Sequence, residues 1–228
     1  MKSLQQSLTK SKYLIYWLPK NWDESWFSVR QIQLAMDNGY APIFMYWYFG
    51  DHLVHGMPTP TELEAYATDN QKVVNFLNQL SGQKMVIIEP EFNKSQIVAT
   101  ETSQKEFTSI IGNAIDNIEQ KSNDEILFSL CMTDAGNRGE NSTYASCGYD
   151  NCALGDQYSW SKPEIVYGEL LNKIDFVSFQ QMVAQFSRDP LNPGTWTEPN
   201  PKAYTESELG INHLAQRISN FSEFLNTK

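Results

Sequence analysis

Two glutamates stand two positions apart where an apolar run ends, in Ile87-Ile88-Glu89-Pro90-Glu91-Phe92-Asn93. Strand periodicity puts alternate residues on one face, so Glu89 and Glu91 are expected to emerge together from a buried strand. A carboxylate there needs a partner or a raised pKa. Groups of this kind serve as general acid, general base or hydrogen-bond acceptor to a bound hydroxyl. The plainer reading has Glu91 capping the next turn and Glu89 pairing with a structural Arg. Two carboxylates pointing the same way do not flank a scissile bond, so a cleavage chemistry needs a partner from another strand. Asp134, in Thr133-Asp134-Ala135-Gly136-Asn137, and Asp51, after Gly50, are the candidates, and each competes with a turn role beside glycine.

Around these acids the chain is rich in aromatic and amide side chains. Trp17, Trp22, Tyr46, Trp47 and Tyr48 gather at the ends of two apolar runs, while Trp160 and Trp196 fall in long loops and read as binding aromatics. Trp26 reads as core. Aromatic faces with polar tips suit ligands that present both C–H faces and hydroxyls. Asn93, Gln180 and Gln181 offer both donor and acceptor to such hydroxyls. His52 and His55, with Glu89 and Glu91, raise a metal reading, but their spacing is not the i, i+4 of a helical metal site, and no metal is expected. No Gly-x-Ser-x-Gly elbow supports a serine nucleophile, and no cofactor is implied.

The elements that must position these groups follow one pattern, a β-branched or aromatic run and then a capped amphipathic stretch. Runs begin at residues 13, 41, 84, 125 and 175. Helices are expected over about 23–38, closed by Gly39 in the C′ position, from the capping box Thr59-Pro60-Thr61-Glu62 to near Gly82, over about 102–120, from Ser161 to about Asn172, and from Thr205 onward. Long loops are expected over 134–161 and 184–204. Alternation of this kind predicts an α/β fold with a parallel sheet and crossover helices. The candidates are a TIM-barrel-like arrangement of βα units and, as the alternative, an open α/β sheet. Polar and aromatic residues at all five strand ends and the lack of a Gly-rich phosphate loop favour the barrel. At the observed spacing eight units would need roughly 320 residues, within the barrel range. The expectation is therefore one barrel-like domain over 1–228, incomplete at its C-terminal end.

Composition narrows the partners. The 228 residues carry 17 basic and 27 acidic side chains, a net charge of −10, with no Lys/Arg run. That repels phosphate backbones and anionic membranes, so no nucleic acid and no membrane partner is expected. It leaves neutral ligands open. Hydrophobic residues make up 41% of the chain, enough for a buried core. The first ten residues do not have the apolar centre of a signal peptide. Cys131 reads as a reduced core residue. Cys147 and Cys152, in Cys147-Gly148-Tyr149-Asp150-Asn151-Cys152, read either as a loop-closing disulfide or as two free thiols. The disulfide would place the protein in an oxidising compartment, secreted or periplasmic.

Over about residues 13–183 these features resemble glycoside-hydrolase-type (β/α)8 barrels. The resemblance rests on Met45-Tyr46-Trp47-Tyr48-Phe49-Gly50-Asp51, on Glu89-Pro90-Glu91-Phe92-Asn93 and on Phe176-Val177-Ser178-Phe179-Gln180-Gln181-Met182. It implies a carbohydrate-active hydrolase that cleaves glycosidic bonds by carboxylate acid/base chemistry on an oligosaccharide or polysaccharide. Glu89 would be the acid or base, with Glu91 and Asp134 assisting. Trp17, Tyr46, Trp47, Tyr48, Asp51, Asn93, Gln180 and Gln181 would line the sugar site. The commonest retaining barrels carry Asn-Glu after the fourth strand and Glu after the seventh; here the fourth run ends in Thr133-Asp134, and five units are visible. The rival expectations are a non-catalytic glycan-binding barrel, a metal-dependent phosphoesterase using His52 or His55, and a half-barrel that self-associates through open edges or lacks a C-terminal segment.

Overall fold

Five of the runs form strands of one parallel sheet: β1 (Tyr13–Pro19), β2 (Ala41–Trp47), β3 (Lys84–Ile88), β4 (Ile126–Met132) and β5 (Phe176–Phe179). The computed structural model describes residues 12–132, 160–179, 186–188, 196–199 and 211–226. The strands lie in sequence order, β1-β2-β3-β4-β5, with α1 (Val29–Asp37), α2 (Pro60–Leu77), α3 (Glu101–Lys121) and α4 (Glu164–Leu170) in the connections. This is the α/β fold of alternating βα units, and the strand order fits both the barrel-like arrangement and the open sheet. Sequential parallel strands joined by right-handed crossovers put their helices on one face.

Register runs level across the first four strands. Trp17 sits beside Met45, Met45 beside Ile87 and Ile87 beside Ser129. Even-numbered positions of β1, β2, β3 and β4 carry the covered face: Leu18, Phe44, Tyr46, Val86, Phe128 and Leu130 are buried. Phe76 of α2 meets Phe44 edge to face at 5.8 Å, and Tyr66 of α2 stacks on Tyr46 at 5.6 Å. The odd-numbered face of β1 is open, with Tyr13, Ile15 and Trp17 exposed at 54%, 57% and 42%. Every second residue of a strand shares a face, so one register decides which aromatics are core and which meet solvent.

Capping residues set the helix limits. The Thr59–Glu62 box forms as expected: Thr59 N–H donates to Glu62 Oε2 at 2.9 Å and Glu62 N–H to Thr59 Oγ1 at 3.4 Å. A second box, Thr100–Ser103, opens α3. Gly39 takes φ +85°, the left-handed conformation that glycine allows at a helix end, whereas α2, expected to run to near Gly82, stops at Leu77 with Asn78 as its C-cap. The continuous helix expected over 23–38 does not form. Asp23 accepts from Ser25 N–H and caps a 3-10 turn at Glu24–Trp26; Ser28 then caps α1. Two caps five residues apart split the segment, and Trp26, expected in the core, is 61% exposed.

The described residues fall into two compact units, one of 12–132 with 165–178 and the other of 160–164 with the described residues from 179 onward. In the second unit, Trp160 packs on Phe221 and Phe224 of helix α5 (Ile211–Asn226), at 5.2 and 5.9 Å. Trp160 is thus a core residue, 2% exposed, rather than a loop aromatic free to bind. Strands β6 (Phe186–Arg188) and β7 (Trp196–Pro199) pair antiparallel within the stretch expected to be one long loop. Among the described residues no helix is long and apolar enough to cross a membrane. Cys131 is a buried free thiol, and burial pushes its pKa up to about 12, with the Glu91 charge adding to it. Cys147 and Cys152 lie outside the described residues.

Candidate functional site

The strand ends part the two glutamates. Strand β3 stops at Ile88, and the backbone turns through positive φ at Glu89 (+43°) and again at Glu91 (+63°), either side of Pro90. Alternation holds only along an extended strand, so the expected shared face is lost. Among the described residues the one other non-glycine at positive φ is Asn21 (+64°), just past β1. Left-handed backbone at non-glycine positions stores strain, and such positions cluster at functional sites.

Glu89 lies on the covered side. It has no solvent exposure, and its two carboxyl oxygens accept the consecutive N–H groups of Tyr48 and Phe49, each at 3.1 Å. Burial pushes its pKa up to about 8 against the lowering effect of those two donors. Around it stand Tyr46, Tyr48, Tyr66 and Asp69. Tyr66 lies 5.1 Å from the Tyr48 ring and 4.5 Å from the Phe49 ring. The Tyr66 hydroxyl lies near Glu89 and the Tyr46 hydroxyl near Asp69, each favouring the ionised carboxyl. Yet neither hydroxyl makes a hydrogen bond within 3.5 Å. Asp69 is half-buried, its pKa raised by that burial, and it accepts from Trp22 Nε1 at 3.4 Å. Lys72 lies 4.2 Å over the Trp22 ring and donates to the Trp22 carbonyl.

Glu91 turns the other way. Its N–H donates to the Cys131 carbonyl at 2.8 Å, and its charge acts on the Cys131 thiol, which sits on the odd-numbered face. Lys94, 13% exposed, bridges Glu91 Oε2 at 3.1 Å and Asp51 Oδ1 at 2.9 Å. Burial alone would lower the Lys94 pKa; the bonds and charges of Asp51 and Glu91 overcome this and raise it. On the same face Trp17 and Trp47 meet edge to face, ring centroids 5.6 Å apart and planes at 72°. The Trp47 Nε1 is buried and makes no hydrogen bond, while Trp17 is 42% exposed.

The structure therefore sorts the sequence candidates into two groups. Trp17, Trp47, Asp51 and Glu91 belong to the open side of the strand ends. Glu89, Tyr46 and Tyr48 belong to the covered side, Tyr46 with no exposure and Tyr48 at 6%. Asn93 is buried at 4% exposure. Asp134, Gln180 and Gln181 lie outside the described residues. His52 and His55 sit at a 3-10 turn (Gly50–Val54) and its end, His52 Nε2 3.1 Å from Glu62 Oε1. Among the described residues no cluster of three or more His, Cys, Asp or Glu is placed to hold a metal. Lys94, Tyr66 and Asp69 are members that the sequence reading missed. Asn70 offered a signal for that region, since it falls on the apolar stripe of α2 with Tyr66, Val73 and Leu77 and is buried with them. Lys94 carried no such mark, because its partners come from two different strand ends. Compared with known proteins, the chain matches no family model and no curated protein sequence.

Proposed function

We propose that this protein is a carbohydrate-active hydrolase that takes a neutral oligosaccharide or polysaccharide at the C-terminal ends of its strands, with Glu91 as the carboxylate that faces the sugar. The observation that carries the reading is the Trp17–Trp47 pair on the same sheet face as Glu91, a partly exposed carboxylate held at φ +63°. Indole rings offer flat apolar area to sugar C–H faces, and the Glu91–Lys94–Asp51 group supplies donors and acceptors for the hydroxyl rim. Parallel βα folds gather their chemistry at this end of the sheet. Strain at Glu91 fits a residue fixed for a task rather than for stability. Glycosidic cleavage needs a second carboxylate across the bond, and Asp51, which shares Lys94 with Glu91, is the candidate.

A second reading, a glycan-binding protein without turnover, draws on Lys94, which ties up both Glu91 and Asp51. One experiment separates the two. A glycan array is probed with wild type, Trp17→Ala and Glu91→Gln, and released reducing sugar is assayed on every hit. Hydrolysis predicts release by wild type, none by Glu91→Gln with binding retained, and affinity about tenfold weaker for Trp17→Ala, equivalent to about 1.4 kcal/mol. Binding without release by wild type selects the second reading. Absence of binding to any glycan overturns both.

A further inference from the structure

The buried carboxyl that does not face the sugar has a separate task in its geometry. Consecutive backbone N–H groups at the end of a strand have no ladder partner of their own and must be satisfied by something else. Here one side chain from the neighbouring strand end takes both, Oε1 from Tyr48 and Oε2 from Phe49. The segment so held is short and bears the open-side residues. Trp47 precedes Tyr48 directly, and Asp51 follows Phe49 by two. Glu89 itself is fixed from below by its own N–H, which donates to the Tyr46 carbonyl at 2.7 Å.

We infer that the Glu89 carboxyl is a latch behind the sheet, fixing the end of β2 that presents Trp47 and Asp51 and freeing it when the carboxyl gives up its proton. The groups facing Glu89 are Tyr46 and Tyr48 from β2 and its end, and Tyr66 and Asp69 from α2. None is a cation; the lysines at the edge of the group, Lys20 at 5.3 Å over the Tyr48 ring and Lys72 acting on Asp69, are not among the groups that shift Glu89. Asp69 adds repulsion. Both carboxyl oxygens have an N–H donor, but Glu89 is sealed from water, and an ionised carboxylate there carries a desolvation cost that these two bonds and the nearby Tyr66 hydroxyl offset only in part. An ionised carboxylate in the same place favours any opening of residues 47–51 that lets water reach it. The pKa near 8 in the closed arrangement agrees with this. Between the ordinary carboxyl range and about 8, the open population should rise roughly tenfold per pH unit, and above that it should level off.

Regulation of sugar binding by this latch rests on the function proposed above, whereas the latch itself does not. Amide hydrogen exchange of the full chain, corrected for intrinsic exchange, tests it at Tyr48 and Phe49 from pH 5 to 9. The expected result has three parts. Protection at these two amides falls about tenfold per pH unit up to about pH 8. It stays below that of the α3 core amide Ile111, because the opening is local. It loses its pH dependence in Glu89→Gln. Flat protection in wild type, an unchanged slope in Glu89→Gln, or protection equal to that of Ile111 overturns the latch. Should Glu89→Gln fail to fold, Tyr66→Phe serves: it removes a hydroxyl that favours the ionised form, so the levelling pH must move upward, and one that stays put overturns the inference. In parallel, cellohexaose and maltohexaose binding is measured at pH 6 and 8.5. Weaker binding by wild type at the higher pH, absent in Glu89→Gln, supports the link to the site. Equal binding at both pH values overturns that link. A chain that passes the exchange test but binds neither probe nor any arrayed glycan overturns the sugar reading alone.

Discussion

Glu89 and Glu91 are separated by a single proline and differ in almost every physical respect. Full burial raises the Glu89 pKa to about 8, above its ordinary value of 4.5. A carboxyl raised on folding binds its proton more tightly in the native state. Its contribution to stability is therefore complete below the ordinary range and is lost as pH rises through about 8. Urea unfolding of wild type should show stability falling between pH 5 and 8 by about 1.4 kcal/mol per pH unit more than Glu89→Gln does. An equal slope in the two proteins would mean that Glu89 is ionised at neutral pH. The Lys94 bridge gives a second contrast. Asp51 is 75% exposed and Glu91 17%. Asp51→Asn should change stability by less than about 1 kcal/mol, because water screens the pair. Lys94→Met, which leaves the less exposed Glu91 without its cation, should lose about 1–3 kcal/mol in the same assay. Equal effects would place the stabilisation on the Asp51 side.

At the scale of elements, capping explains both what the sequence revealed and where it misled. The Thr59 box was legible because Thr-Pro-x-Glu satisfies two orphan N–H groups and puts proline at N1, where no donor is missed. Thr59→Ala should lower stability by about 1 kcal/mol in urea titrations, and a change under 0.3 kcal/mol would show that the tertiary contacts of α2 hold its first turn without the cap. The failed helix over 23–38 has the same cause in reverse. Asp23 and Ser28 are each competent caps, and apolar spacing alone could not tell one helix with a polar interruption from a 3-10 turn followed by a helix. The expected pairing of Glu89 with Glu91 failed because strand periodicity was carried three residues past the real end of β3. Pro90 lies between them, and a turn through two left-handed residues leaves no trace in the hydrophobic pattern.

For the molecule as a whole, the sheet has a covered face and, at β1, an open one. Phe128 is 1% exposed on the first, and Ile15 57% exposed on the second. Phe128→Ala should cost about 3–5 kcal/mol. Ile15→Thr should stay within about 0.5 kcal/mol. A large loss for Ile15→Thr would mean that this face of β1 is covered in solution, as the self-associating half-barrel expectation requires, and the loss would then depend on protein concentration.

By itself the sequence determined the α/β class, the five strands and their order of appearance, the capped start of α2 and the glycine stop of α1. These are local matters: periodicity, caps and left-handed glycines act over a few residues. It also singled out the strand ends that carry acids and aromatics. Only the tertiary structure decided which side of the sheet each one serves. Tyr46 and Trp47 are chain neighbours of similar type, yet one is sealed against Tyr66 and the other pairs with Trp17, because register and the crossover helices fix the covered face. The same long-range packing put Glu89 against two backbone amides and brought Asp51 to Lys94, which Glu91 reaches from three residues away. Those amides lie 41 and 40 residues from Glu89, and Asp51 lies 43 from Lys94, and no local pattern reports a contact made across strands.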